Sequence, residues 1–201
     1  ANLRKRCKNF LTYEHATRKR GHRMNPLKEL QKEGQSVWLD YIRRSLVESG
    51  ELQQMVEDDG LRGMTSNPKI FMKAITGSEE YDEKIRELIS EDRNIKTRDL
   101  YEAIAVSDIR AAADVLRPVY DQTEGADGFV SLEVSPHLAY DTEKSIEEAR
   151  HLWKTVDRPN LLIKVPATSE GIPAIEALLA EGININIPLM FALDHYEAVA
   201  Q

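Results

Sequence analysis

The chain has 201 residues, of which 41% are hydrophobic and 30% charged, and this composition is typical of a soluble globular domain large enough to bury a core. No apolar stretch approaches the ~20 residues that a membrane-spanning helix requires, so we expect no membrane partner. Because Cys7 is the single cysteine of these residues, they contain no intrachain disulfide and no thiolate cluster for zinc. Such cysteine usage fits a reducing cytoplasm, which is the location we expect.

Charge is distributed unevenly along the chain. The first 23 residues contain eight Lys or Arg and one acid, Glu14, so they carry +7 and the remaining residues −14, which together give the formal net charge of −7. An acidic body argues against nucleic acid as a partner of the folded part. We interpret residues 1–23 as a mobile basic extension, because they lack the serines and the amphipathic period of a transit peptide. The domain proper is expected at residues 24–201.

From Asn25 onward, apolar runs alternate with helical patterns, separated by short Gly, Pro, Asn or Asp breaks. This alternation predicts an α/β domain with a parallel sheet, built from five strand-helix units. The predicted strands are 36–42, 61–67, 128–136, 160–168 and 183–190. The helical segments that follow them are 43–60, 68–76, 141–156, 169–182 and 192–201, with a further helical stretch over 78–122. Pro68 marks one helix start, and Asp141 or Thr142 is the predicted N-cap of another.

The fourth strand, "LLIKVPAT", places Lys164 in the middle of an apolar run. Lysine is rarely buried unless its charge is paired, because removing an ammonium from water costs several kcal/mol, as an order of magnitude. One interpretation is that Lys164 lays its methylenes along apolar neighbours and lifts its ammonium into water. The other is chemical, since a desolvated lysine amine can attack a carbonyl and form a Schiff base.

Other predicted strands also carry polar residues where parallel strands are usually continuous Val, Ile and Leu. These residues are Asp40, Thr65, Asn67, Glu133, Asn184 and Asn186. Structural explanations exist for three of them: Asp40 as a helix cap, Asn67 as a helix start, and Glu133 as the partner of a buried ion pair with Lys164. In a parallel barrel, however, the carboxyl ends of the strands meet at one mouth, where active sites of this architecture lie. Two carboxylates, a lysine and amides at that mouth indicate an acid-base and Schiff-base site.

Four segments resemble the transaldolase family in their residues and in their order. "GMTSNPKIF" is similar to the family's Thr-Ser-Asn-Pro turn, "VSLEVSP" to its glutamate strand and "NLLIKVPAT" to its Schiff-base lysine strand, and "EGININIPLMFALDHYEAVAQ" resembles the next strand and helix. The resemblance runs from about Asn25 to Gln201. It is most similar to bacterial transaldolases, which also occur fused to a phosphoglucose isomerase. Four linked motifs are far more specific than any one of them.

The resemblance implies a (β/α)₈ TIM-barrel fold, of which this chain holds about the first five strand-helix units. It also implies a class I aldolase-type transfer without metal or organic cofactor. Lys164 would form an imine with a ketose phosphate, either fructose 6-phosphate or sedoheptulose 7-phosphate. Asp40 would take the proton of the C4 hydroxyl, and Glu133 would act through a water during imine formation.

The remaining implied roles concern binding. Asn67 and Asn186 would hydrogen-bond the hydroxyls of the three-carbon dihydroxyacetone unit, with Thr65 nearby. That unit would then pass to an aldose phosphate such as erythrose 4-phosphate or glyceraldehyde 3-phosphate. The implied partners are thus small sugar phosphates of the non-oxidative pentose phosphate pathway.

The chain departs from the family pattern in two respects. First, Pro188 stands where the fifth strand normally has a threonine, whose hydroxyl helps to hold the catalytic water. Second, the chain is expected to be a C-terminally truncated copy that lacks three further strand-helix units and their phosphate-binding residues. One reading is therefore a transaldolase present as an incomplete copy. The second is a transaldolase-derived partial barrel that is inactive, and whose open edge pairs with another chain or with itself. A third, another Schiff-base aldolase of the deoxyribose-phosphate type, is weaker because "TSNP" and "GININ" point elsewhere.

Overall fold

Five parallel strands with flanking helices form a partial α/β barrel in the computed structural model, which describes residues 25–201. The strands are β1 (Trp38–Asp40), β2 (Gly63–Thr65), β3 (Phe129–Glu133), β4 (Leu161–Lys164) and β5 (Ile185–Asn186). Each strand pairs with the next along the chain, so the spatial order is the sequence order. This confirms the predicted α/β class and the five strands. The predicted extension at 1–23 and the start at Met24 lie outside the described residues.

The strands are shorter than predicted, and the difference is largest for β5. The sequence predicted a strand over 183–190, but only Ile185–Asn186 is a strand. Two causes act together. Pro188 has no backbone N–H to donate to a ladder. Moreover, β5 pairs on one side with β4, and the described residues supply no strand on its other side.

Helices precede, connect and follow the strands along the chain. They are α1 (Pro26–Lys32), α2 (Arg44–Glu48), α3 (Glu51–Gln54), α4 (Pro68–Thr76), α5 (Asp82–Glu91), α6 (Thr97–Gln122), α7 (Thr142–Val156), α8 (Gly171–Ala180) and α9 (Leu193–Ala200). None of the helices within 25–201 is long and apolar enough to cross a membrane. Asp141 is the N-cap of α7, since its carboxylate accepts the N–H of Lys144 at 3.1 Å.

The helical segment predicted over 43–60 is broken in the structure. Gly50 has a φ of +80°, which ends α2, and α3 continues into a π-helical turn over Met55–Asp59. The predicted stretch over 78–122 is likewise two helices, α5 and α6, joined by a short connection. These breaks were not expected because the apolar spacing continues through them.

The core lies between the sheet and the helices. Along β3 and β4, Val130, Leu132, Leu161 and Ile163 are at most 4% exposed and belong to one apolar cluster with the buried side of α6. Successive side chains of a strand point to opposite faces, so the residues between them face the inside of the partial barrel. The apolar helix-facing side holds the strands in place. The inner side is therefore available for polar groups.

Gly128 allows α6 to approach the start of β3. Its φ is +84°, and a Cβ at this position would lie 2.3 Å from the backbone nitrogen of Tyr120 and 3.0 Å from the carbonyl oxygen of Leu116. The Gly128 N–H also donates to the Arg62 carbonyl oxygen at 2.8 Å. A side chain here would have to move helix backbone, which sets where β3 begins.

We expect Gly128→Ala to lower the free energy of unfolding by about 3 kcal/mol or more, since it adds a backbone clash to left-handed strain. Gly34→Ala is the matched control, because Gly34 has a similar φ of +74° but no atom within 4 Å of a Cβ. The free energy of unfolding of Gly34→Ala should fall by about 1 kcal/mol. Urea unfolding measures both values. Equal losses would show that the contact between α6 and β3 is not close.

Candidate active site

Lys164 ends β4 and points into the partial barrel. Its side chain is 11% exposed, and its Nζ lies 3.4 Å from Oε2 of Glu133. The same Nζ donates a hydrogen bond to the carbonyl oxygen of Ser66 at 3.2 Å. A buried ammonium needs such acceptors, because it has lost most of its water. The strand therefore holds one amine, with a carboxylate on one side and a backbone carbonyl on another.

Glu133 reaches Lys164 because their strands are in register. Glu133 is the Cα partner of Lys164 in the ladder between β3 and β4, so both side chains point to the same face. The Glu133 side chain is 23% exposed. Its charge also acts on Tyr101 of α6: burial, and secondly the Glu133 carboxylate, raise the pKa of Tyr101 to about 12.

A cavity lies between the end of β3 and the helices, and Glu133 is one of the residues of its walls. Its volume is about 340 Å³, and its walls also include Tyr101 and Glu148, with Ser135 and His137 from the segment after β3. A space of this size with several polar groups on its walls can hold ordered water.

Asn186 of β5 lies next to Lys164, on the side opposite Glu133. It is the Cα partner of Lys164 across β4 and β5, and its Nδ2 donates to the Ser131 hydroxyl oxygen at 3.0 Å. The Ser66 hydroxyl in turn donates to the Ser131 carbonyl oxygen at 2.8 Å. Ser66 and Ser131 are both fully buried. These hydrogen bonds connect the ends of β2, β3 and β5 around the lysine.

Ser66 and Ser131 were not among the residues predicted from the sequence. Serine is common in strands, so the residue type alone did not indicate a role for Ser131. Its spacing did indicate one, because Ser131 precedes Glu133 by two residues and must lie on the same face of the sheet. The contact of the Lys164 amine with the Ser66 carbonyl, 98 positions apart in the chain, has no signal in the sequence.

The carboxyl end of β2 contributes Thr65 and Asn67. Thr65 is partly buried and is the ladder partner of both Asp40 and Ser131. The Asn67 side-chain oxygen accepts the N–H of Ile70 at 3.0 Å, so this residue is the N-cap of α4. The cap uses only the oxygen of the amide. The Asn67 Nδ2 is the group that remains to donate to a ligand.

Asp40 lies on the same face as the other residues but farther from the lysine. It is the last residue of β1 and is exposed, and two strands, β2 and β3, separate β1 from β4. Three strand spacings of ~4.8 Å lie between Asp40 and Lys164 along the sheet. The structure thus brings Glu133, Lys164 and Asn186 together and places Asp40 and Thr65 across the same concave face.

This arrangement suits acid-base and nucleophilic chemistry on a polyhydroxylated molecule. An amine, two carboxylates and two amides are distributed over the ends of five parallel strands, and each amide can donate to or accept from a hydroxyl. Among residues 25–201 there is no group of three or more His, Cys, Asp or Glu that could hold a metal ion.

Comparisons with known proteins identify the family. Residues 37–201 match the family model described as transaldolase/fructose-6-phosphate aldolase. The chain is 51% identical to a transaldolase of Parafrankia sp. (strain EAN1pec) over 174 residues, which cover 87% of this chain and 47% of that protein. It is also 51% identical to a transaldolase of Thermobifida fusca over 175 residues, and 47% identical to one of Thiobacillus denitrificans over 176 residues.

The chain therefore belongs to the transaldolase/fructose-6-phosphate aldolase family. This confirms the resemblance found in the four sequence segments. The chain spans about half the length of the curated relatives it matches, since it covers 47% of the Thermobifida fusca protein and 48% of the Thiobacillus denitrificans protein.

Replacing Glu133 should change the titration of Tyr101. Because the Glu133 carboxylate is the second cause of the raised pKa, Glu133→Gln should shift the Tyr101 pKa from about 12 toward lower pH, although burial keeps it raised. Tyrosinate absorbance, compared with Tyr101→Phe, isolates this residue. A raised pKa in the folded state also means that Tyr101 contributes stability that is complete below pH ~10 and lost as the pH rises toward 12.

Glu102→Gln is the matched control for this titration. Glu102 is adjacent in sequence, but its Oε1 lies 2.5 Å from the Nε2 of His151 on α7. Its removal should leave the Tyr101 titration unchanged. An equal shift in both variants would show that Tyr101 responds to net charge and not to Glu133.

Proposed function

We propose that the protein is a transaldolase that acts through a Schiff base on Lys164. It transfers a dihydroxyacetone unit from fructose 6-phosphate or sedoheptulose 7-phosphate to an aldose phosphate, in the cytoplasmic non-oxidative pentose phosphate pathway. The observation that carries this proposal is the Lys164 amine, 11% exposed on the inner face and 3.4 Å from the Glu133 carboxylate. Membership of the transaldolase family supports it.

Lys164 is the nucleophile in this proposal. Its neutral amine adds to the C2 carbonyl of the ketose, and loss of water gives an iminium ion. Glu133 assists by exchanging protons through a water, for which the adjacent cavity of about 340 Å³ has room. The iminium ion then serves as the electron sink for the next step.

Asp40 is the base for carbon-carbon cleavage. It accepts the proton of the C4 hydroxyl, the C3–C4 bond breaks, and its electron pair moves into the iminium ion to give an enamine on Lys164. The aldose phosphate leaves with C4 as its aldehyde carbon. A substrate that extends across the sheet from β4 towards β1 would bring C4 nearer to Asp40, and this fits the separation of Asp40 from Lys164.

The amides hold the bound three-carbon unit. Asn186 follows Lys164 in the strand ladder, and Asn67 follows the end of β2, so both can donate to its hydroxyls, with Thr65 beside them. In this proposal, residues 24–201 are the part of a (β/α)₈ barrel that carries these groups. The three remaining strand-helix units would bind the substrate phosphate. Neither a metal nor an organic cofactor enters the scheme.

A second candidate function is an inactive partial barrel that binds a partner. The observation that favours it is a group of exposed apolar side chains after β5: Leu189, Phe191 and Leu193 are 70%, 88% and 80% exposed. An apolar surface beside an open strand edge favours association with another chain or with a second copy. Activity measurements distinguish the two functions.

Borohydride trapping tests the nucleophile. We define the extended protein as this sequence prolonged to the length of its relatives, either by its own reading frame or by the C-terminal half of the Thermobifida fusca protein. With fructose 6-phosphate, reduction should add a triose mass to the peptide that contains Lys164. Lys154→Arg should retain this adduct and Lys164→Arg should lose it. An adduct on Lys154 or another lysine would contradict the assignment.

Activity should depend on the extension and on Pro188. We expect the 201-residue chain to transfer little or no dihydroxyacetone from fructose 6-phosphate to erythrose 4-phosphate, because binding energy from the remote phosphate is needed for rate. In the extended protein, Pro188→Thr should raise the rate by on the order of 10²-fold by restoring a hydroxyl at the reacting centre. Full turnover by the short chain would refute the first expectation. Inactivity of all three proteins would favour the partner-binding function.

A further inference from the structure

We propose that Tyr81 and Asp108, which lie outside the inner face, position Asp40 for carbon-carbon cleavage by fixing the backbone that follows β1. This inference rests on the proposed function, because it assigns a task to Asp40. It concerns two buried residues that take no part in the scheme above. They are positioning residues, since they contact the chain after Asp40 and not the reacting atoms.

Asp40 depends on its backbone for its position. Within the described residues its side chain forms no hydrogen bond or ion pair, so no neighbouring group orients it. β1 has three residues and ends at Asp40. A strand this short forms few ladder hydrogen bonds of its own. The backbone that follows it therefore contributes to the position of Asp40.

That segment is held by residues from a distant part of the chain. Arg44 begins α2, and its backbone N–H donates to the Tyr81 hydroxyl oxygen at 3.0 Å. The N–H of Ser45 donates to Oε2 of Glu80 at 3.1 Å. The residue at the N-cap position, Arg43, makes no side-chain cap of its own, and its guanidinium pairs with Glu80. The start of α2 is thus capped from the connection between α4 and α5.

Asp108 of α6 forms hydrogen bonds with both Tyr81 and Arg44. Its Oδ2 accepts the Tyr81 hydroxyl at 2.8 Å, and its Oδ1 accepts both Nε and Nη2 of Arg44, at 2.9 and 2.8 Å. The Arg44 guanidinium also lies over the Tyr81 ring, 4.8 Å from its centre. Tyr81 is fully buried and Asp108 is 3% exposed. Burial raises the pKa of Asp108, although Arg44 and Tyr81 act in the opposite direction.

This geometry makes the two residues more than supports of the fold. The hydroxyl of Tyr81 has one donor and one acceptor function, and both are used, so its removal frees the Arg44 N–H and one oxygen of Asp108 together. The freed Arg44 N–H belongs to the first turn of α2, which begins four positions after Asp40, and the freed Asp108 oxygen belongs to the carboxylate that binds the Arg44 guanidinium. A displacement of about 1 Å at a catalytic group can cost on the order of 10²-fold in rate. A shift of the turn should therefore affect the step that uses Asp40.

The mass of the trapped adduct separates a positioning role from a merely structural one. Before C3–C4 cleavage, the iminium ion on Lys164 holds all six carbons and the phosphate of fructose 6-phosphate. After cleavage, glyceraldehyde 3-phosphate has left and a three-carbon enamine remains, which becomes an iminium ion when its C3 carbon takes up a proton. Borohydride reduces either iminium ion to a stable amine. The ratio of hexose to triose adduct then reports cleavage alone, and it does not depend on the fraction of folded protein, because unfolded chains form no adduct.

The experiment compares Tyr81→Phe with Asp40→Asn in the extended protein. Asp40→Asn should accumulate the hexose adduct. Tyr81→Phe should shift the ratio in the same direction and lower kcat about 10-fold, with a KM for fructose 6-phosphate within twofold of the parent value. Glu80→Gln acts on the same turn from a less buried position and should give a smaller shift of the same sign. It also covers the case in which Tyr81→Phe yields no folded protein.

Tyr120→Phe is the matched control. Tyr120 lies near the C-terminal end of α6, where its ring packs against Phe129 at the start of β3 and lies 6.0 Å from the Arg117 guanidinium, so the variant removes a tyrosine hydroxyl near the start of β3 and not at the start of α2. It should leave the adduct ratio unchanged. A hexose adduct with Asp40→Asn but a wild-type ratio with Tyr81→Phe and Glu80→Gln would overturn this inference. A triose adduct with Asp40→Asn would instead overturn the role of Asp40 in the proposed function, and with it this inference.

Discussion

The arrangement of the inner face depends on one constraint, which is that an amine placed inside a parallel sheet must have hydrogen-bond acceptors. Lys164 has two, the Glu133 carboxylate at 3.4 Å and the Ser66 carbonyl at 3.2 Å. Ser66 is in turn held by its hydrogen bond to the backbone of Ser131, and Asn186 reaches the Ser131 side chain. Four strand ends thus fix the surroundings of one nitrogen. An apolar residue in place of Lys164 would leave the Glu133 carboxylate without its ion-pair partner.

One face of the sheet packs against the helices and stabilises the fold, and the other carries the polar groups of the site. In β4, Leu161 and Ile163 are fully buried against the helices, while Lys164 lies on the opposite face. Burying such side chains contributes roughly 1.5–3 kcal/mol each, which helps to offset the cost of desolvating polar groups on the inner face. Because the period of a strand is two residues, the same short segment satisfies both demands. The helices behind the sheet add further support, as the contacts of Asp108 with the turn after β1 illustrate.

The sequence was sufficient for the fold class, for the five strands, and for Lys164 and Glu133 as polar residues of the sheet, because these two are charged residues in apolar runs. It was insufficient to predict where individual strands and helices end. The apolar residues beyond Asn186 resemble a strand, although Pro188 cannot donate to a ladder, and the apolar period at 43–60 continues through Gly50, where the helix ends. Contacts between distant segments had no local signal. Arg44 and Asp108 are 64 positions apart, and nothing in either segment alone predicts that one neutralises the other.

The central claim is that the residues of this concave face act together on one ketose phosphate bound through Lys164. A crystal structure of the extended protein with fructose 6-phosphate, frozen during turnover, tests it most directly. The account predicts a covalent bond from Nζ of Lys164 to C2 of the sugar. It also predicts the Asp40 carboxylate ~2.6–3.2 Å from the C4 hydroxyl, and the amides of Asn67 and Asn186 at the hydroxyls of the three-carbon unit. A sugar bonded to a different lysine, or one that lies off the inner face with Asp40 out of reach, would contradict it.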